Sequence, residues 1–205
     1  MKVEKELLPL LKTHFGYDSF LPGQENIIRR LLDGRDVLSI MPTGAGKSLC
    51  FQLPSLAMEG TAIVISPLIA LMKDQVDALK ANGIAADYFN SSQLLETQKE
   101  VLQRYCQGKL KLLYLAPESL FSLIPILKQG QISLIAVDEA HCISAWGHDF
   151  RPHYLRLNIL KTEFPQIPIL ALTATADGAT QEDILQQLNI PDAIRHVASF
   201  DRKNL

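Results

Sequence analysis

Cysteine is scarce in this sequence. The three that occur, Cys50, Cys106 and Cys142, are odd in number and far apart. They form no C-x-x-C pair, so their spacing indicates neither a zinc site nor a disulfide framework. A reducing, cytoplasmic setting is the expectation. Long hydrophobic runs are missing too. None approaches the ~18 residues needed to cross a membrane. The charged start Met1-Lys2-Val3-Glu4-Lys5-Glu6 has no signal-peptide apolar core, so no membrane partner is expected. Basic charge is not in excess: the formal net charge is −2. Bulk attraction to nucleic acid is therefore excluded as the main mode of binding. Any such contact must run through local loops and helix ends, or through regions outside this sequence. There is no internal repeat and no low-complexity stretch.

What is present is enough for one large domain. The 205 residues are 47% hydrophobic, so a sizeable core can be buried. Short apolar runs of strand length alternate with helical patterns. That alternation predicts an α/β fold with a mostly parallel central sheet and helices on both faces.

One stretch organises the rest: Asp36-Val-Leu-Ser-Ile-Met-Pro-Thr-Gly-Ala-Gly-Lys-Ser48. Val37 to Ile40 predicts a buried strand, Met41 to Gly46 a turn, and Lys47 to Met58 a helix. Strand, turn and helix in that order are the context of a phosphate-binding loop. Met41 stands where the strict G-x-x-x-x-G-K-[ST] pattern has its first glycine, but Thr43-Gly44-Ala45-Gly46-Lys47-Ser48 is intact. Successive N–H groups there can surround an anion, helped by the helix dipole. Lys47 can reach the β- and γ-phosphates of ATP, and the Ser48 hydroxyl can ligate Mg²⁺.

Upstream, helices are predicted over residues 3–15 and 22–32. Tyr17 lies between them, and Gln24 lies in the first turn of the second. A Gln amide can pair with the N6 and N7 edge of adenine, and Tyr17 can stack. Taken by itself, this segment fits a solvent-facing Gln and a Tyr filling a helix end better. Strands are predicted at 61–65, 84–89, 110–115, 132–137, 167–172 and 194–197. Ser66-Pro67 reads as an N-cap with proline in the first turn of a helix running to about Lys80. Ser66 and Lys73 there could hold a phosphate, or the segment is an ordinary crossover helix. Helices are also predicted over 93–106, 121–127, 155–164 and 178–188. Residues 199–205 read as a polar linker.

The apolar run Leu134-Ile135-Ala136-Val137 ends in Asp138-Glu139-Ala140-His141. Acids at the carboxyl end of a buried strand are where a parallel sheet presents ligand groups. Asp138 can hold Mg²⁺ through water, and Glu139 can polarise an attacking water. The next segment, Cys142 to Tyr154, collects Trp146, His148, Phe150 and Arg151 without helix or strand periodicity. It reads as a loop. Its rings and guanidinium either stack on single-stranded bases or plug the loop against the core. After the strand at 167–172 come Thr173 and Thr175, whose hydroxyls could relay the state of the γ-phosphate. Thr175 or Asp177 could equally cap the helix that follows.

Taken together, these motifs resemble the first RecA-like domain of superfamily 2 helicases, and within them the RecQ family. The segments that carry the resemblance are residues 41–48, Ser66 through Gln75, and Asp138 through Arg151, with similarity from Phe15 to Leu205. The resemblance implies a single ATP-binding motor lobe, residues 1–205, of a 3′–5′ DNA helicase using ATP and Mg²⁺. It implies adenine recognition by Tyr17 and Gln24 and phosphate binding by Thr43, Gly44, Ala45, Gly46, Lys47 and Ser48. Lys47, Asp138, Glu139 and His141 would be catalytic, and Ser48 and Asp138 would hold the metal. Trp146, His148, Phe150, Arg151, Thr173 and Thr175 would couple DNA to hydrolysis. The implied partners are single-stranded or duplex DNA and a second RecA-like lobe, outside this sequence, that supplies an arginine finger. The family carries Arg before Pro22-Gly23-Gln24, whereas this chain has Leu21. An RNA-directed relative and a non-catalytic nucleotide-dependent nucleic-acid-binding module are the alternative readings.

Overall fold

The computed structural model describes residues 7–145 and 149–198. In chain order the elements are α1 (Leu7–Phe15), α2 (Gln24–Leu32), β1 (Val37–Ile40), α3 (Leu49–Ala57), β2 (Thr61–Ile65) and α4 (Ile69–Ala81). There follow β3 (Ala86–Phe89), α5 (Leu95–Cys106), β4 (Leu112–Leu115), α6 (Pro117–Leu127) and β5 (Ile132–Val137). Two 3₁₀ segments come next, Ala140–Ile143 and Pro152–Asn158, then α7 (Ile159–Glu163), β6 (Ile169–Thr173), α8 (Gly178–Gln187) and β7 (Ile194–Val197).

The strands form one seven-stranded sheet in the order β3-β4-β2-β5-β6-β1-β7. Every described pairing is parallel. Both faces are covered, which is why β1, β2, β4, β5 and β6 are buried along their whole length and mostly apolar rather than alternating. The period of two still sorts side chains between two cores. Leu38, Ile63, Leu113, Ile135 and Ala171 face α5, α6, α8 and the 3₁₀ segments. Val37, Val64, Leu112, Ala136 and Leu170 face α2, α3 and α4. Outside that second layer, α1 buries Leu7 and Leu11 against Ile28, Leu49 and Leu53.

Register decides what meets at the sheet's carboxyl edge. Ile40 of β1 is level with Thr173 of β6, and Val137 of β5 is level with Ala171 of β6. The residues after β1 and β5 therefore lie on the same edge, with the end of β6 between them. Two strand spacings separate them, about 10 Å.

The structure corrects several element boundaries. Helix α4 starts at Ile69, with Leu68 as its N-cap and no side-chain cap bond. Ser66 is not that cap: its hydroxyl is buried without a hydrogen-bond partner. Helix α6 starts earlier than the apolar run suggested, at Pro117, because proline suits a first turn. The single helix expected over 155–164 is a 3₁₀ segment followed by the five-residue α7. The residues between Asp138 and Tyr154 are not all loop, since Ala140–Ile143 coils into a 3₁₀ turn. Asp177, rather than Thr175, caps α8 by accepting from the Thr180 N–H at 2.8 Å. The proposed linker, residues 199–205, lies outside the described residues.

Candidate active site

The turn after β1 needs its glycines for a stated reason. Gly44 and Gly46 have φ of +84° and +70°, a region that side-chain-bearing residues adopt at a cost. A Cβ on Gly46 would also lie 2.3 Å from Gln24 Nε2. Helix α3 begins at Leu49, two residues later than expected. Lys47 and Ser48 form a tight turn ahead of it, through Leu49 N–H to Gly46 O at 3.1 Å and Cys50 N–H to Lys47 O at 3.0 Å. Lys47 is half-buried and its ammonium donates to Met41 O at 3.4 Å, across the mouth of the loop.

Gln24 departs from the local reading of a solvent-facing side chain, because it is 2% exposed. Its Oε1 accepts from Leu21 N–H at 2.8 Å, and its Nε2 donates to Ala45 O at 3.3 Å and Gly46 O at 3.1 Å. The amide thus ties the start of α2 to the phosphate loop. Tyr17, by contrast, is 59% exposed and does not fill a helix end. Between them opens a cleft of about 320 Å³ lined by Phe15, Tyr17, Leu21, Gln24, Gly46 and Gln52 among others. None of its lining residues is charged, which suits an uncharged base. Where the resemblance expects Arg, Leu21 adds an apolar wall.

The two acids follow β5 on the same edge. Asp138 is 7% exposed. Burial, then the charge of Glu139, raises its carboxyl to about 6, while the Glu139 N–H and the charge of Lys47 pull it down. Glu139 has a φ of +49°, unusual for a residue with a side chain, and its N–H donates to Asp138 Oδ1 at 3.0 Å. Such backbone strain, of order 1–3 kcal/mol, is found where a side chain must be aimed. The Glu139 carboxylate lies with Oε2 3.3 Å from His141 Nδ1.

The same ring nitrogen of His141 also meets β6. Its Nδ1 lies 2.8 Å from the Thr173 hydroxyl oxygen. Thr173 donates its own proton to Thr175 O at 3.0 Å and accepts from Thr175 N–H at 3.2 Å. With that proton committed, the hydroxyl accepts from His141, which assigns the Nδ1–H tautomer to the neutral ring. Thr173 is fully buried and Thr175 is exposed at the strand end. One unbroken chain of contacts thus joins Glu139, His141, Thr173 and Thr175.

The aromatic segment is tied to the same edge. Arg151 N–H donates to Cys142 O at 2.9 Å, and Arg151 Nη1 donates to Pro67 O at 3.2 Å. Arg151 Nη2 also pairs with Asp149 Oδ2 at 3.5 Å. Phe150 is 38% exposed, so it does not plug the core. Trp146 and His148 lie outside the described residues. Lys73 is exposed on α4. Thr43 is exposed and Ala45 half-buried in the phosphate loop.

Sequence reasoning missed Tyr154. It is fully buried, and its hydroxyl donates to Asp138 O at 2.9 Å, bracing the turn that carries both acids. Nothing in the sequence distinguishes it from the other aromatic residues of its segment.

The DEAD/DEAH box helicase family model matches residues 21–184. The chain belongs to the DEAD/DEAH box helicase family. Its similarity to RecQ helicases is high. It is 54% identical over 200 residues to the ATP-dependent DNA helicase RecQ of Haemophilus influenzae, covering 97% of this chain and 32% of that protein. It is 50% identical over 200 residues to the ATP-dependent DNA helicase RecQ of Bacillus subtilis, covering 96% of this chain and 34% of that protein. The chain thus spans about a third of the length of these relatives. Among solved structures, the DUF1998 helicase MrfA bound to DNA and AMPPNP superposes with a TM-score of 0.75 at 18% identity, covering 97% of this chain and 29% of that one. A hypothetical ATP-dependent RNA helicase from Sulfolobus tokodaii superposes with a TM-score of 0.70 at 17% identity, covering 95% of this chain and 57% of that one. At those identities the structures speak for the fold alone: a helicase-type RecA-like domain.

Proposed function

We propose that this chain is the ATP-binding motor lobe of a RecQ-type helicase that unwinds DNA in the 3′–5′ direction, together with a second RecA-like lobe. The observation that carries this is the register of the sheet, which sets the phosphate loop after β1 and the acids Asp138 and Glu139 after β5 on one edge with only β6 between them. The loop N–H groups and the start of α3 bind the phosphate chain, and Lys47 compensates its charge. The neutral cleft beside Tyr17 and Gln24 takes the adenine.

The donor set suits Mg²⁺: a hydroxyl from Ser48 and a buried carboxylate from Asp138 are hard oxygen ligands. When bound, the ion neutralises charge on the β- and γ-phosphates. Glu139 orients water and receives its proton, and its aim is fixed by the strained backbone and by His141. Thr173 holds His141, and Arg151 links this group to the loop after β2, a route by which bound DNA can reach Glu139. A lobe without an arginine finger supplied from across the cleft binds nucleotide weakly and hydrolyses it poorly.

Calorimetry of Mg·ATP binding to Lys47→Ala tests the assignment. Binding is expected to vanish, and a dissociation constant equal to that of the unaltered chain would refute the phosphate loop. ATP turnover with and without DNA, measured with the second lobe present, separates a motor from a non-catalytic binding module.

A further inference from the structure

The aromatic segment brings three unlike donors together beside the active site: His141, Cys142 and the half-exposed Asp149. One ligand atom from each lies within 4.8 Å of the other two. Cys142 Sγ is 3.9 Å from His141 Nε2 and 3.6 Å from Asp149 Oδ2. Tetrahedral zinc with its usual bond lengths of about 2.0–2.3 Å separates neighbouring sulfur and nitrogen or oxygen ligands by about 3.5 Å. The two separations from sulfur are close to that, and the His141 and Asp149 ligand atoms, which lie within 4.8 Å, draw together as the ion binds. The second observation is the far side of the imidazole. Nδ1–H faces the Thr173 hydroxyl at 2.8 Å and Glu139 Oε2 at 3.3 Å, so the neutral ring carries its lone pair on Nε2. A histidine whose other nitrogen is held by a carboxylate or hydroxyl is the arrangement that metal ligands adopt.

We propose that His141 Nε2, Cys142 Sγ and Asp149 Oδ2 form a binding site for a zinc-class divalent ion, completed by water and separate from the Mg²⁺ site at Ser48 and Asp138. The Cys142 thiol, held protonated by its burial, releases its proton to solvent as the metal–sulfur bond forms. The ion draws Asp149 from its 3.5 Å pairing with Arg151 and clamps the aromatic segment to His141. Zinc-class ions are then inhibitors of any coupling that runs through Arg151. No C-x-x-C spacing announces such a site, because its donors are adjacent residues plus one brought back by the turn between them.

The test is a Co²⁺ titration of this chain followed by absorption, in a Cys106→Ser background so that the exposed thiol cannot contribute. A thiolate-to-cobalt band is expected, displaced by Zn²⁺. Cys142→Ser should abolish the band. Asp149→Ala, at an exposed position that does not threaten folding, should weaken Co²⁺ binding about tenfold or more. Thr173→Val, which unties the imidazole, should weaken it about 10–100-fold. A missing band, a band that survives Cys142→Ser, or an affinity unmoved by Asp149→Ala overturns the site. Lys47→Ala should leave the band intact, so this proposal and the nucleotide assignment can fail separately.

Discussion

Tyr154 donates its hydroxyl to the main-chain carbonyl of Asp138, at 2.9 Å, from a position with no solvent exposure. The bond fixes the turn in which β5 hands its two acids to the sheet edge. Tyr154→Phe keeps the ring and strands the buried carbonyl. The expected loss is about 1–3 kcal/mol of folding stability, read from the midpoint of denaturant unfolding at an unchanged slope. A change too small to measure would mean the carbonyl finds another partner.

Asp138 should make stability depend on pH in the direction opposite to most acids. Its carboxyl titrates near 6 when folded, against a reference value of 3.8. The folded state therefore binds the proton more tightly, and stability from this group is full below about pH 4 and lost as pH rises through 6. In the ionised form the cost to the metal-free fold is roughly 1–3 kcal/mol. Asp138→Asn in EDTA should raise the melting temperature at pH 7.5 and lose its advantage near pH 4. A gain independent of pH would show that ionisation is not the cause.

Gln24 serves two masters at once, since the amide that would read adenine is bonded to Ala45 O and Gly46 O. Gln24→Ala is expected to weaken ATP binding about tenfold, the equivalent of one or two net hydrogen bonds. GTP binding should change less, because the cleft holds no charged group to favour guanine. Equal losses for both nucleotides would assign Gln24 to loop support alone.

Arg151→Ala removes the bond to Pro67 O and the pairing with Asp149 together. With the second lobe present, DNA-stimulated ATP turnover should fall about tenfold or more, and by more than the DNA-free rate. Arg151→Lys should restore little, because a point charge cannot reproduce a forked donor that spans two acceptors. A full rescue by lysine would reduce the role to charge.

The legibility of this molecule follows the range of its interactions. Strand β1, the glycine turn and the start of α3 were readable because one contiguous stretch carries all of their chemistry. The buried strands were readable because a sheet covered on both faces leaves uninterrupted apolar runs. Misreadings arose where neighbours in space decided the outcome. Residues 155–164 carry helical spacing, yet the chain enters them through the 3₁₀ segment that seats Tyr154 and Leu157 in the core. Ser66 has the chemistry of a cap, but the chain bends at Pro67, the helix starts only after Leu68, and the Ser66 hydroxyl is buried instead.

By itself, the sequence determined the repeating strand and helix units, the anion-binding turn and the acids at a strand end, all of which local chain geometry and a short periodicity encode. Only the tertiary structure decided that Thr173 holds His141, that Arg151 reaches Pro67, that Gln24 turns inward and that Tyr154 braces Asp138. These pairs are joined by strand order and register. Strands that are apolar on both faces read alike, so their order is set by how the whole core packs and by no single segment.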